Sequence, residues 1–296
     1  MWLLFAILAP LCWGFANPMD AAMRRSWVKN DFVLTSIFAL VKLPVAIGLM
    51  IFFGGGLVLN WPFFWMFTAG IIWMLAFVFY YKAMQLEEVS RVVLILQFQP
   101  IMILLLGMVM IGETLNVSQI VAFVLILLGS VLAAFKKKES KWHFSQAFVL
   151  ILIADVLWSV GDVMFKKYVG FFPNFWSAFS IELLGSSLLG GFIFLMPKYR
   201  TIFKEFKLPA KGWKLLFVSA LFGTLGSLFF AYALTLGKAA LTSVIVGLQP
   251  LFALISGLVL NRFINEIPRD SIKKEDLVVK GMSFLLILMG FIYLYF

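Results

Sequence analysis

The sequence predicts an all-α integral membrane protein with ten transmembrane helices arranged as two inverted five-helix repeats. Three observations predict it. Of the 296 residues, 63% are hydrophobic and only 13% are charged, more apolar surface than a soluble domain of this length can hide. The apolar residues fall into ten runs of about 20, the length that crosses roughly 30 Å of hydrocarbon. The dipeptide Gln-Pro also occurs twice inside such runs, at Gln99-Pro100 and Gln249-Pro250, in a common register. Residues 79 to 110 laid on 229 to 260 without a gap bring Phe79, Ala83, Leu86, Ile95, Gln99, Pro100, Leu104, Gly107 and Val109 onto identical residues.

The ten spans are expected at 2–23, 32–53, 62–84, 90–111, 117–135, 145–167, 174–196, 212–236, 239–260 and 277–296. Charges, glycines or prolines mark the breaks, among them Arg24-Arg25, Gly54-Gly55-Gly56, Glu87-Glu88, Gly112-Glu113, Lys136-Lys137-Lys138, Pro197-Lys198 and Asn261-Arg262. The runs must be helices, because lipid offers backbone groups no partner outside their own segment, and they are too long and too uniformly apolar for barrel strands. The first run lacks a basic n-region and a small-residue cleavage site, so it reads as a retained span.

Ten spans divide as five plus five. The sixth span also repeats the first, with Ala9, Trp13 and Met19 falling on Ala154, Trp158 and Met164. A unit with an odd number of crossings must insert upside down relative to its partner, which predicts a pseudo-two-fold axis in the membrane plane. The expected units are residues 1–135 and 145–296, joined by a basic linker at 136–144.

The net charge of +10 resides in short loops between apolar runs. No soluble domain remains to carry nucleic-acid binding, so no nucleic-acid partner is expected. The loops after the odd-numbered spans hold most of the Lys and Arg, whereas the opposite loops hold Lys166, Lys167 and Lys238. The positive-inside rule then makes the basic side cytoplasmic and puts both termini outside a cell (plasma or inner) membrane. One cysteine, Cys12, excludes an intramolecular disulfide, and one histidine, His143, excludes a multi-histidine metal site. Without a P-loop or a nucleotide-binding glycine motif, neither ATP-driven transport nor a cofactor is expected.

Several residues could carry chemistry. Pro100 and Pro250 each remove an N–H from a helix, and the expected orphans are the carbonyls of Leu96 and Val246 near mid-membrane. Gln97, Gln99 and Gln249 flank those breaks and either bind a solute or glue neighbouring helices. Asp155, Asp162, Glu182 and Lys42 lie within spans, where an ionised group costs roughly 2.5 to 3.5 kcal/mol and must be paired, protonated or facing water. Asp155, Trp158, Ser159 and Asp162 share one helical face, a candidate cavity wall, and Trp13 and Asn17 repeat part of it in the first span. Lys42 and Glu182 occupy corresponding spans, which leaves open a structural ion pair or a solute contact. Asp155 and Asp162 are candidates to carry a proton during transport. Tyr80, Tyr81 and Tyr232 either pack on an apolar solute or belong to an interfacial belt.

In order and spacing, Trp13-Gly14, Tyr81-Lys82-Ala83, the mid-helix Pro100, and Gly112-Glu113 followed by Gln119 resemble the EamA family of the drug/metabolite transporter superfamily. The likeness runs over essentially the full length, although the second half has Asn261-Arg262 where the first has Gly-Glu. The resemblance implies an exporter or exchanger of small metabolites, often amino acids, working by alternating access.

The leading expectation is therefore a secondary transporter of small amphipathic solutes, embedded in the lipid bilayer, with a cavity between the halves lined by spans one, three, four, six, eight and nine. A lipid or lipid-linked sugar flippase is the alternative if the cavity opens sideways. An integral membrane enzyme would need a cluster of catalytic groups at one interface.

Overall fold

The structure is a computed structural model that describes residues 1–53, 59–86, 92, 95–134, 146–205, 207–267 and 274–295. The expected linker at 136–144, the Gly54 to Gly56 and Glu87-Glu88 breaks, and His143 lie outside the described residues. The helices are α1 (Trp2–Ser26), α2 (Asp31–Phe53), α3 (Trp61–Leu86), α4 (Gln99–Ile111), α5 (Val117–Ala134), α6 (Gln146–Val169), α7 (Phe175–Leu195), α8 (Pro197–Glu205), α9 (Ala210–Leu236), α10 (Ala239–Ile245), α11 (Gln249–Leu260) and α12 (Lys274–Tyr295). Among the described residues there is no strand.

Seven helical stretches are long and apolar enough to cross a membrane: α1, α2, α3, α6, α7, α9 and the continuous run Ala239–Leu260. Shorter apolar helices, Leu96–Ile111, Val117–Leu132 and Gly281–Tyr293, fall where the fourth, fifth and tenth spans are expected. Helix α8 departs from the sequence reading, which placed a loop there. It is amphipathic: Tyr199 stacks on Phe32 at 4.9 Å and Phe203 meets Phe194 edge-on at 5.0 Å, while Lys198, Arg200 and Lys204 are exposed.

The two prolines do not orphan their carbonyls. Before each helix the chain tightens into a 3₁₀ turn, Leu96–Phe98 and Val246–Leu248. In that turn the N–H of Gln99 donates to the carbonyl of Leu96, and Gln249 does the same to Val246. The i→i+3 bond supplies the donor that proline lacks, so the expected bare acceptors are overturned. That both breaks relax in the same way follows from their common register.

Several of the larger helix pairings recur when a helix is exchanged for its counterpart in the other half, although the extensive packing of α3 on α7 has only a slight equivalent in α9 on α2. Helix α2 packs on α7 and α5 on α12, each with its own counterpart; α3 packs on α6 as α9 packs on α1, and α4 packs on α6 as α11 packs on α1. Small residues permit the close crossings. A side chain at Gly70 would fall on the carbonyl of Glu182, and one at Gly185 on the carbonyl of Phe67. The backbones of α3 and α7 therefore touch there, as membrane helices do without a hydrophobic drive between them.

Candidate functional site

A cavity lies between the halves where both helix breaks face inward. Helix α1 supplies Trp13, Asn17 and Asp20, each three or four residues from the next and so on one face. The same spacing lines up Trp73, Phe77, Tyr80 and Tyr81 along α3. The breaks contribute Gln97, Gln99 and Pro100 from one half and Val246, Gly247 and Gln249 from the other. Helix α6 adds Trp158 and Asp162, α9 adds Ser219 and Gly223, and α2 adds Phe38 and Lys42. Lys42 was a candidate for a solute contact, but span two was not among the expected lining spans and Phe38 was not foreseen.

Aromatic rings make one wall. Phe77 touches Trp73 at 5.1 Å, Trp158 at 5.2 Å and Tyr81 at 5.7 Å, and Tyr80 meets both Tyr81 and Trp158 at 5.5 Å. The Lys42 ammonium rests against this wall, 4.9 Å from the centre of the Trp73 ring and 5.8 Å from that of Phe77. The negative faces of those rings stabilise it without neutralising it. Among the described residues no carboxylate closes an ion pair with Lys42, so the structural pair with Glu182 does not form. Glu182 is buried on α7, off the cavity lining, within electrostatic reach of both Lys42 and Asp162.

Two carboxylates face the same space. Asp162 accepts a hydrogen bond from Gln99 Nε2 at 3.2 Å. Asp20 accepts one from the Ser219 hydroxyl, which links α1 to α9 across the halves. Sequence reasoning missed Asp20, since it sits near the expected end of the first span. Its spacing from Trp13 and Asn17 carried the signal. Trp13 donates from its indole to the carbonyl of Gly223 at 3.2 Å. Its counterpart Trp158 keeps an indole N–H with no partner among the described residues, as does the amide nitrogen of Asn17.

Of the residues expected at a site, Trp13, Asn17, Lys42, Tyr80, Tyr81, Gln97, Gln99, Pro100, Trp158, Asp162 and Gln249 come together here. Tyr232, Pro250, Asp155 and Glu182 do not line the cavity. Tyr232 packs edge-on against Phe5 at 4.8 Å and Phe175 at 5.0 Å. Asp155 and Ser159 do not line the cavity, the Ser159 hydroxyl donating instead to the carbonyl of Asp155 at 2.6 Å, so the expected four-residue wall on α6 reduces to Trp158 and Asp162. Asp155 is fully buried, and neither carboxyl oxygen has a hydrogen-bond partner among the described residues.

A second polar cluster closes one end of the bundle. Gly112 ends α4 in the left-handed conformation at φ +67, and the N–H of Glu113 returns to the carbonyl of Gly107 at 3.1 Å. This turn presents Glu113 to Lys166 at 2.7 Å, and the same side chain accepts from the N–H of Ala239 at 2.8 Å. Asn116 and Gln119 cap α5 reciprocally, at 2.8 and 3.1 Å, and Gln119 also accepts from Lys238 at 2.8 Å.

A bundle of lipid-length apolar helices, in which several pairings recur between the halves around a polar and aromatic cavity, defines a membrane transport protein of the duplicated kind. The model of the EamA-like transporter family matches residues 1–135 and 145–266, one match per half, and the chain belongs to that family. Its members are transporters rather than enzymes. A structure described only as "Crystal structure of protein" is similar over 97% of this chain and 93% of that one, with a TM-score of 0.66 and 17% identity. At that identity the likeness speaks to the fold alone. No curated protein matches.

Proposed function

We propose that the chain is a secondary active transporter that exports or exchanges small amphipathic metabolites, amino acids foremost, by alternating access. The observation that carries this reading is the meeting of opposite polarities in one aromatic-walled cavity. Lys42, the Trp158 indole and the Asn17 amide face it as donors, whereas Asp20 and Asp162 face it as acceptors. A zwitterion satisfies both sets at once, and the rings of α3 accept its side chain. Buried polar groups left without partners cost free energy, so a solute that supplies those partners gains from entering.

The proposal takes ten crossings in two inverted units, 1–135 and 145–296, joined at 136–144. The helix pairings that recur in both halves support that arrangement, and the basic loops support termini outside the cell membrane. Rocking of the halves exposes the cavity to each side in turn. A carboxyl such as Asp155, sealed without a donor, or Asp162, in contact with the solute space, provides a place for a coupled proton.

Counterflow in proteoliposomes against labelled amino acids, nucleobases, sugars and a lipid-linked sugar tests the reading. Exchange of an amino acid without ATP is the expected result. A panel in which only lipid-linked sugars move would replace it with the flippase. For coupling, Asp155→Asn and Asp162→Asn are each expected to weaken a pH-driven flux. A flux that neither replacement changes removes the proton from the mechanism.

A further inference from the structure

Among the described residues the ion pairs are distributed unequally between the two ends of the bundle. At the end bearing the basic loops, Arg24 pairs with Asp31 at 2.9 Å and Lys211 with Glu266 at 2.8 Å, and each pair stays within one half. At the opposite end Glu113 of the first half pairs with Lys166 of the second at 2.7 Å. Further ties cross there as well: Lys238 donates to the carbonyl of Thr114 at 2.6 Å, and Asn174 and Ser177 both donate to the carbonyl of Phe53 at 3.0 Å.

We infer that Glu113 and Lys166 form a latch that holds the transporter closed at this end and that, among the described residues, has no equivalent ion pair at the other. Each partner is matched to the backbone it touches. Lys166 donates to the carbonyls of Leu234, at 3.0 Å, and Gly237, which end α9. Glu113 accepts the N–H of Ala239, the first of α10. The ammonium thus meets only acceptors and the carboxylate meets a donor, so the pair grips the α9–α10 turn as well as itself.

The register of the two halves shows why the latch is one-sided. Asn261-Arg262 stands where the first half has Gly112-Glu113, and Ala21 stands opposite Lys166, so the counterpart positions hold one charge and no partner for it. Depth agrees. The cavity is lined by Asp20, Tyr81 and Ser219, toward the basic end of α1, α3 and α9, whereas Lys166 lies one turn beyond Asp162 on the other side. Breaking the latch removes a tie that only one of the two alternating states contains, and so shifts the population toward the other.

This inference rests on the transporter reading, but its test reads accessibility and needs no solute. In a Cys12→Ser background, Ala220→Cys places a thiol in the cavity, and a membrane-impermeant maleimide is applied from each face of sealed vesicles. Glu113→Gln and Lys166→Gln are expected to raise labelling from the Lys166 end relative to the basic end by about tenfold, the weight of one charge-assisted contact. Lys238→Ala is expected to shift the ratio the same way, by less. The exchanged pair Glu113→Lys with Lys166→Glu is not expected to restore it, because the carbonyls of Leu234 and Gly237 would then face a carboxylate. An unchanged ratio in the two glutamine variants, or in Lys238→Ala should those fail to fold, overturns the latch, and restoration by the exchanged pair overturns its match to the backbone. Failure of counterflow with an intact labelling shift removes the transport reading alone.

Discussion

Gln99 donates from Nε2 to Oδ2 of Asp162 across 3.2 Å, joining the helix break of the first half to the opening helix of the second. The break sets that side chain's direction, and the carboxylate holds it there. Asp162→Asn keeps the shape and loses the charge, so counterflow of a solute with an ammonium group is expected to fall by about tenfold or more, the value of a charged hydrogen bond. Gln99→Ala leaves the carboxylate in place and is expected to cost less. Equal losses in both variants, measured as counterflow rates, would show that the bond matters only for positioning.

Asp20 and Ser219 make a second carboxylate contact across the halves, between α1 and α9. Removing the hydroxyl with Ser219→Ala leaves a buried carboxylate short of a donor, which is expected to lower stability by about 1 to 3 kcal/mol. Asp20→Asn restores a neutral pairing and is expected to fold normally while transport falls. Thermal unfolding in detergent, set beside counterflow, separates the two effects.

Pro100 and Pro250 hold tight turns that advance about 120° per residue, against about 100° in an α-helix. Three such residues reorient the flanking side chains by about 60° relative to a straight helix. Pro100→Ala lets Leu96 to Phe98 relax into the regular helix and turns Gln97 and Gln99 from their present directions. Transport is expected to fall without loss of folding, as read by counterflow and elution profile. A variant that transports normally would show that the glutamines need no break.

Gly70 and Gly185 lie where α3 and α7 touch through their backbones. A methyl at either position has no flexible neighbour to displace, so Gly70→Ala and Gly185→Ala are each expected to destabilise by about 1 to 3 kcal/mol. Gly48 and Gly257 have open space where a side chain would begin, and their alanine variants are expected to unfold at the wild-type temperature. Parallel melting curves provide the check.

Sequence alone determined the solvent, the helical fold and the duplication. These depend on composition and on distances along one strand of sequence, which fix what a segment can do before it meets a neighbour. The Gln-Pro register therefore located both breaks, and the spacing of Trp13 with Asn17 found part of the cavity. Only the tertiary structure decided which polar groups face that cavity. Asp155 and Asp162 stand seven residues apart on one nominal face, yet one is sealed in packing and the other meets Gln99. Tyr232 likewise turns to Phe5 and Phe175 instead of the solute space. The rotation of each helix about its own axis is set by the helices beside it, and partners from distant segments, such as Glu113 with Lys166, meet only once both halves have packed.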